Sequence, residues 1–190
     1  MTVIALATAG SVDGDAAAYA EDCVAGAFGV EPRRLEVPDP EYAYDAARHQ
    51  YSSTLILRDA LRRTPRDAVK LLVLTERDLF IPMLSFVYGQ AQLDGTVAVV
   101  SLARLRQEFY GLPPNRPLLL VRLRKEALHE LGHAFGLTHC EDRLCTMSLS
   151  TTIQQLDAKG TDFCDGCAVL VHEATAAAGA AATGGGTSGG

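Results

Sequence analysis

The segment HELGHAFGLTH, at residues 129–139, limits the fold of this chain more than any other feature. In an α-helix the side chains at positions i and i+4 lie on the same face, so His129 and His133 direct two imidazoles toward one point. Gly136 allows a sharp backbone turn after the helix, and His139 can then return to the same point. Three neutral nitrogen ligands with an open fourth position are typical of a catalytic zinc site. The segment therefore predicts a helix, a glycine turn and a zinc centre.

Glu130 follows the first histidine and flanks the predicted metal position without acting as a ligand. Because three neutral ligands leave the full charge on zinc, a water at the open position is expected to have a pKa near neutrality. Glu130 is placed to take a proton from this water as a general base. A helix with chance histidines is the alternative for His-Glu-x-x-His alone. Gly136 and His139 also stand in register, which argues against that alternative.

Four of the five cysteines form two close pairs. They are Cys140 with Cys145, and Cys164 with Cys167. Two such pairs separated by an ordered insert are typical of a closed, tetrahedral structural zinc site. A redox CxxC motif, free thiols and disulfides are the alternatives, and a reducing compartment disfavours disulfides. The fifth cysteine, Cys23, lies in an alanine-rich helical pattern and is interpreted as a small buried side chain.

The two predicted metal sites meet between His139 and Cys140. If Cys140 completed the histidine site, its thiolate would fill the open position and reduce the Lewis acidity of the metal. The other three cysteines would then lack a fourth ligand. Because adjacent residues of an extended chain point to opposite sides, we expect His139 to face one zinc and Cys140 to face the other.

The sequence HELGHAFGLTHCEDRLCTM, followed by FCDGC, resembles the archaemetzincins, a branch of the metzincin zinc proteases. The similarity includes TERDLFIPMLSFVYGQAQLDGTVAVVSLARL ahead of the helix. It implies a compact metzincin-like metalloprotease fold with a long active-site helix, one catalytic zinc and one structural zinc. It also implies a peptide bound in extended form along a rim strand, at residues 86–91 or at 96–99. The implied site residues are His129, His133 and His139 for the catalytic zinc, Glu130 as general base, Met147 in the Met-turn, and Cys140, Cys145, Cys164 and Cys167 for the structural zinc.

Strand-like runs alternate with helical patterns, which predicts an α/β domain with a mixed, partly parallel twisted sheet. One domain is expected at 1–173, with a zinc-stapled helical C-terminal subdomain that starts at about residue 137. The Ala/Gly-rich tail at 174–190 is expected to be disordered. The predicted strands lie at 2–8, 34–37, 70–75, 85–88 and 96–102, and the predicted helices lie at 15–28, 44–63 and 118–135, with a short helix from Thr151 and a last helix behind the CxxC turn.

Charge and hydropathy exclude several classes of partner. The net charge of −6 does not favour nucleic acid or an anionic membrane surface. The apolar start lacks the basic residues of a secretory signal, and no apolar run reaches the roughly 18 residues of a membrane span. We expect a cytoplasmic monomer that acts on peptide or protein substrates. Two other functions stay open from sequence alone: a peptide-binding module of the same fold with little turnover, and a zinc hydrolase of a non-peptide amide.

Overall fold

A five-stranded mixed sheet forms the centre of the fold in this computed structural model, which describes residues 2–184. In spatial order the strands are β2 (Glu31–Val37), β1 (Val3–Ala9), β5 (Ala68–Thr75), β8 (Val97–Ser101) and β7 (Gly89–Ala91). The first four run parallel, and β7 pairs antiparallel with β8 at the edge. The central strands β1, β5 and β8 are almost wholly buried, as their continuous apolar runs require. The predicted partly parallel sheet is confirmed.

Residues 2–184 also form five α-helices. They are α1 (Gly14–Phe28), α2 (Ser53–Arg63), α3 (Arg116–Ala134), α4 (Ile153–Ala158) and α5 (Asp165–Gly184). The side chain of Asp13 accepts hydrogen bonds from the first turn of α1, and Asn115 does the same for α3. Helix α3 packs against β8, β7 and α1 through fully buried side chains such as Leu123 and Leu128. Among residues 2–184, no helix is both long and apolar enough to cross a membrane.

The prediction of one helix over 44–63 is wrong for its first half. The chain instead forms β3 (Tyr44–Asp45) and β4 (Gln50–Ser52), which join β6 (Leu79–Phe80) in a small second sheet of order β3-β4-β6. His49 has a φ of 55°, which turns the chain between β3 and β4 and cannot be part of a helix. The apolar spacing that resembles a helix reflects cross-strand pairing, because Tyr44 lies opposite Tyr51. Helix α2 begins only after Ser52, whose hydroxyl caps it.

Several other boundaries differ from the sequence predictions by a few residues. The strand expected at 85–88 lies at 89–91, and its partner lies at Val97–Ser101 rather than 96–102. The capping residue of α4 is Thr152 rather than Thr151, and its hydroxyl accepts from the amide of Gln155. The side chain of Gln155 in turn accepts from the amide of Thr151.

The sequence predicts a disordered tail from residue 174, but the structure differs, because α5 continues to Gly184. The segment is rich in alanine, the residue with the highest intrinsic helix propensity. Val171 and Thr175 are buried, so the helix also gains tertiary packing at the start of this segment. The remaining tail residues, 185–190, lie outside the described part of the chain.

Candidate metal centres and active-site cleft

The three histidines of the opening motif converge on one point. Helix α3 carries His129 and His133, whose Nε2 atoms lie 3.1 Å apart. The ring of His139 lies 5.4 Å from that of His129 and 4.8 Å from that of His133, measured between centroids. One nitrogen of each ring falls within a set whose members are all within 4.8 Å of one another. This arrangement has the dimensions of a three-histidine metal site.

A turn centred on Gly136 carries His139 back to the helix. Gly136 has a φ of 94°, a conformation that side chains with a Cβ rarely adopt. The amide of Leu137 donates to the carbonyl of Gly132, and the amide of Gly136 donates to that of His133, which closes the end of α3. The glycine turn predicted from the sequence is confirmed.

Hydrogen bonds at Nδ1 orient two of the rings. Nδ1 of His129 donates to the carbonyl of Thr146 at 2.9 Å, and Nδ1 of His133 donates to the carbonyl of Leu137 at 2.7 Å. A carbonyl only accepts, so these contacts fix the tautomer and leave the Nε2 lone pairs directed at each other. Burial lowers the pKa of all three histidines, which favours the neutral form that metal ligands require. The donor set therefore fits zinc.

Glu130 lies beside the histidines, buried, and lines the cleft. Burial raises its pKa well above the ordinary value, the nearby carboxylate of Glu126 raises it further, and Lys159 opposes both. The raised pKa makes this carboxylate a better proton acceptor than an exposed glutamate. Close packing also fixes its position, because a Cβ on Gly89 would lie 2.7 Å from Cγ of Glu130.

Met147 is fully buried. A Cβ on Gly132, in the helix between the two histidines, would collide with its sulfur. Its carbonyl also accepts from the amide of Cys140 at 3.0 Å. Met147 therefore supports α3 by packing, and this placement agrees both with a Met-turn residue and with a core methionine.

The four clustered cysteines form a second metal-binding group, separate from the histidines. Their sulfurs all lie within 4.8 Å of one another, and those of Cys140 and Cys164 are 3.8 Å apart. The sulfur of Cys145 accepts from the amides of Met147 and Cys164, which stabilises a thiolate. A backbone hydrogen bond likewise lowers the pKa of Cys164, whereas burial raises the pKa of Cys145. The set fits a closed four-thiolate zinc site.

The boundary between the two clusters falls between His139 and Cys140, as the sequence predicts. These adjacent residues belong to different clusters, and the histidine site keeps a side open to the cleft. Cys23 is a buried free thiol in α1 and belongs to neither group.

A cleft of about 480 Å³ lies in front of the histidines. It is lined by residues 84–91, by side chains of α3, by residues 149–151, and by His139 and Lys159. Strand β8 is buried between β5 and β7, so β7 alone of the two predicted rim strands provides an edge beside the cleft. Of the two segments that the sequence leaves open, 86–91 and 96–99, the former contains this edge strand.

Two charged residues of the cleft were missed by sequence reasoning, Glu126 and Lys159. Glu126 stands four residues before Glu130, so the helical spacing alone places both carboxylates on one face. That signal was available in the sequence. Lys159 directly follows α4 and lies near the histidines only because of the tertiary fold. Nothing in its local sequence predicts this position.

Comparison with known proteins identifies the class. Peptidase family M54 matches residues 42–173, and the chain belongs to this family. The family, together with the histidine and cysteine clusters, makes this protein a zinc metallopeptidase with a catalytic and a structural zinc.

The individual relatives are archaemetzincins. The archaemetzincin of Methanocaldococcus jannaschii is 46% identical over 140 residues, which cover 74% of this chain and 76% of that protein. The crystal structure of the Methanopyrus kandleri archaemetzincin matches with a TM-score of 0.80 and 37% identity, over 91% of this chain and 94% of that one. A structure of the Archaeoglobus fulgidus archaemetzincin complexed with malonate matches with a TM-score of 0.76 and 32% identity, over 89% of this chain and 99% of that one. The metzincin-like fold expected from the sequence is confirmed.

Proposed function

We propose that the histidine cluster holds the catalytic zinc and that Glu130 is the general base of peptide-bond hydrolysis. The observation that carries this proposal is the orientation of the histidines. Nδ1 of both helical rings is engaged by a carbonyl, so the ligating nitrogens converge where the cleft gives access to a fourth position. The chemistry that a bound zinc supplies there is Lewis-acid polarisation of the scissile carbonyl and a lowered pKa of water.

Glu130 carries the proton through the reaction. Its carboxylate takes a proton from the attacking water while the oxygen–carbon bond forms, and it delivers that proton to the nitrogen when the carbon–nitrogen bond breaks. The raised pKa that burial gives this group supports both transfers, because the carboxyl must hold the proton between them. No other proton carrier is required.

The substrate peptide is proposed to bind along β7 in extended form. Among the strands within residues 2–184, β7 pairs only with β8, and its outer edge can hydrogen-bond to a peptide by strand addition. A hydrogen bond of 2.6 Å between the side chains of Gln90 and Ser53 holds the strand against α2. Strand addition explains how a peptide of varied sequence is aligned with the zinc.

The four cysteines are proposed to hold the structural zinc, and Met147 is proposed to be the Met-turn residue. The protein is further proposed to act as a cytoplasmic monomer that binds neither nucleic acid nor membrane. A reducing compartment favours a four-thiolate site over disulfides, the two clusters are each completed by one chain, and the net charge is −6.

A peptide library tests the proposed activity directly. We expect the zinc-loaded protein to cleave a subset of a mixed peptide library, since an open zinc site lies beside the proposed base. The products would be sequenced by mass spectrometry. Protein stripped of metal by a chelator should be inactive and should recover on addition of zinc. Peptides that bind tightly but stay intact would instead indicate a binding module.

Substitution of Gly89 by alanine tests the placement of Glu130. The added Cβ would lie 2.7 Å from Cγ of Glu130 and 2.8 Å from the backbone carbonyl of Val99. The glutamate must therefore move, and the pairing of β7 with β8 must shift slightly as well. A displacement near 1 Å at a reacting group can cost about 100-fold, and we expect kcat/KM to fall by roughly 10- to 100-fold with both zincs retained. Gly26→Ala is the matched control, because a Cβ there meets nothing within 4 Å. Unchanged kinetics in Gly89→Ala would contradict the proposed geometry.

A further inference from the structure

The cleft contains a buried ion pair that the hydrolytic step described above does not use. Lys159 and Glu126 both line the cleft, and their side chains are only 1% and 5% exposed. Nζ of Lys159 lies 3.5 Å from Oε1 of Glu126. Lys159 also lies beside the metal-binding ring, 3.5 Å from Nδ1 of His129. Nζ of Lys159 therefore lies on the Nδ1 side of the His129 ring.

Both charged groups lack good hydrogen-bond partners. Charge-assisted hydrogen bonds in proteins measure about 2.7–2.9 Å. Lys159 reaches its acceptors, Glu126 and the carbonyl of Ser148, only at 3.5 and 3.4 Å. Nδ1 of His129 is not an acceptor for it, because that nitrogen donates to Thr146. Among the residues that the structure describes, Lys159 is the one side chain that donates to Glu126. The ammonium therefore lacks a close acceptor, and the carboxylate lacks a close donor.

Charge decides which substrate side chain suits this pair. A carboxylate would gain an interaction with Lys159 but would be repelled by Glu126, and an ammonium or guanidinium would meet the opposite conflict. An apolar side chain would cover both charges and provide neither with a hydrogen bond, which is costly at a buried site. A primary amide carries an acceptor and donors on one uncharged group.

We propose that this cleft selects substrates with glutamine or asparagine next to the cleaved bond. The amide oxygen accepts from Lys159, and the amide nitrogen donates to Glu126. This inference rests on the proposed function, since it takes the histidine cluster as the catalytic centre. The location supports it: Glu126 is one helical turn from Glu130, and Lys159 touches the ring of His129.

Inhibitor binding tests the preference without requiring turnover. Four hydroxamates of one scaffold would differ only in the adjacent side chain: glutamine-like, glutamate-like, lysine-like or leucine-like. Their Kd values for the two-zinc protein would be measured by calorimetry. Since hydrogen bonds to charged groups are stronger than those between neutral groups, we expect the glutamine-like compound to bind at least about tenfold more tightly than the other three. Tighter or equal binding of any other compound, or no binding of the glutamine-like one, overturns the proposal.

A double variant provides the second arm. Glu126→Gln/Lys159→Met removes both charges together, which avoids leaving one buried charge unpaired. We expect it to lose the tenfold preference and to bind the leucine-like compound as well as the glutamine-like one. Lys125→Met is the matched control, because Lys125 is a buried lysine of α3 that donates instead to the carbonyls of Leu156 and Asp157. A preference that survives in the double variant contradicts the assignment to this pair.

The two proposals fail in distinguishable ways. If the peptide library stays intact while the hydroxamates rank as expected, the peptidase proposal fails and the side-chain selectivity stands. If peptides are cleaved but the glutamine-like compound does not rank first, only the selectivity fails. The ranking of the unmodified protein decides the matter even if the double variant does not fold.

Discussion

Replacement of Glu130 by alanine is expected to abolish hydrolysis while both zincs remain bound. Glu130 touches the reacting water in the proposed reaction but is not a ligand, so its loss removes proton transfer and leaves the donor atoms of the histidines in place. General acid–base catalysis contributes about 10²- to 10⁴-fold, and kcat should fall by at least this much. The measurements are single-turnover peptide cleavage and zinc analysis of the same sample.

Two further variants define what the Glu130 result means. Glu130→Gln keeps the shape of the side chain but cannot take up a proton at neutral pH, so it should be as inactive as the alanine variant. His133→Ala should instead lose one zinc of two, because it removes a proposed ligand. Loss of a zinc equivalent from Glu130→Ala would show that the glutamate is a ligand and would refute its role as a base.

The histidine site could be predicted from the sequence because its geometry is local. His129 and His133 are separated by one helical turn, and the turn at Gly136 returns His139 after six more residues. Such short spacings leave the chain few ways to arrange these side chains. The two cysteines of each pair are also close in sequence, so each pair could be predicted locally. The four-cysteine site required in addition only that the two short segments lie close together in the fold.

The lysine of the cleft and the edge strand could not be predicted in this way. Lys159 lies 30 residues from His129 in sequence, and only the packing of the end of α4 against α3 brings them together. The same applies to β7, since a strand is an edge only relative to its neighbours in the sheet. The prediction of a helix over residues 44–52 was wrong for a related reason. The spacing of the tyrosines is compatible with a helix, but it also fits a tight antiparallel pairing of two strands.

The histidine cluster and the cysteine cluster are connected by hydrogen bonds. The amide of Cys140 donates to the carbonyl of Met147, and the amide of Met147 donates to the sulfur of Cys145. Thr146 stands between Cys145 and Met147 in the sequence, and its carbonyl orients the ring of His129. The cysteine cluster therefore fixes the position of residues 145–147, which contact the histidine cluster and the active-site helix. A structural zinc in this place would act on catalysis through the position of Thr146 and Met147.

Replacement of Cys164 by serine tests this connection and the second site together. The variant should contain one zinc instead of two, since a hydroxyl is a poor ligand for zinc in a thiolate site. Loss of a structural metal is among the few causes of very large destabilisation, and we expect the free energy of unfolding to fall by about 4 kcal/mol or more.

The measurements for Cys164→Ser are zinc content by elemental analysis and unfolding in denaturant. Cys23→Ser is the control, because Cys23 is also buried but lies outside both clusters. It should keep two zincs and lose much less stability. Where the folded fraction of Cys164→Ser can be isolated, its kcat should also fall, because the loop that carries Thr146 is no longer held by the second metal. A zinc content of two in Cys164→Ser would remove this cysteine from the ligand set.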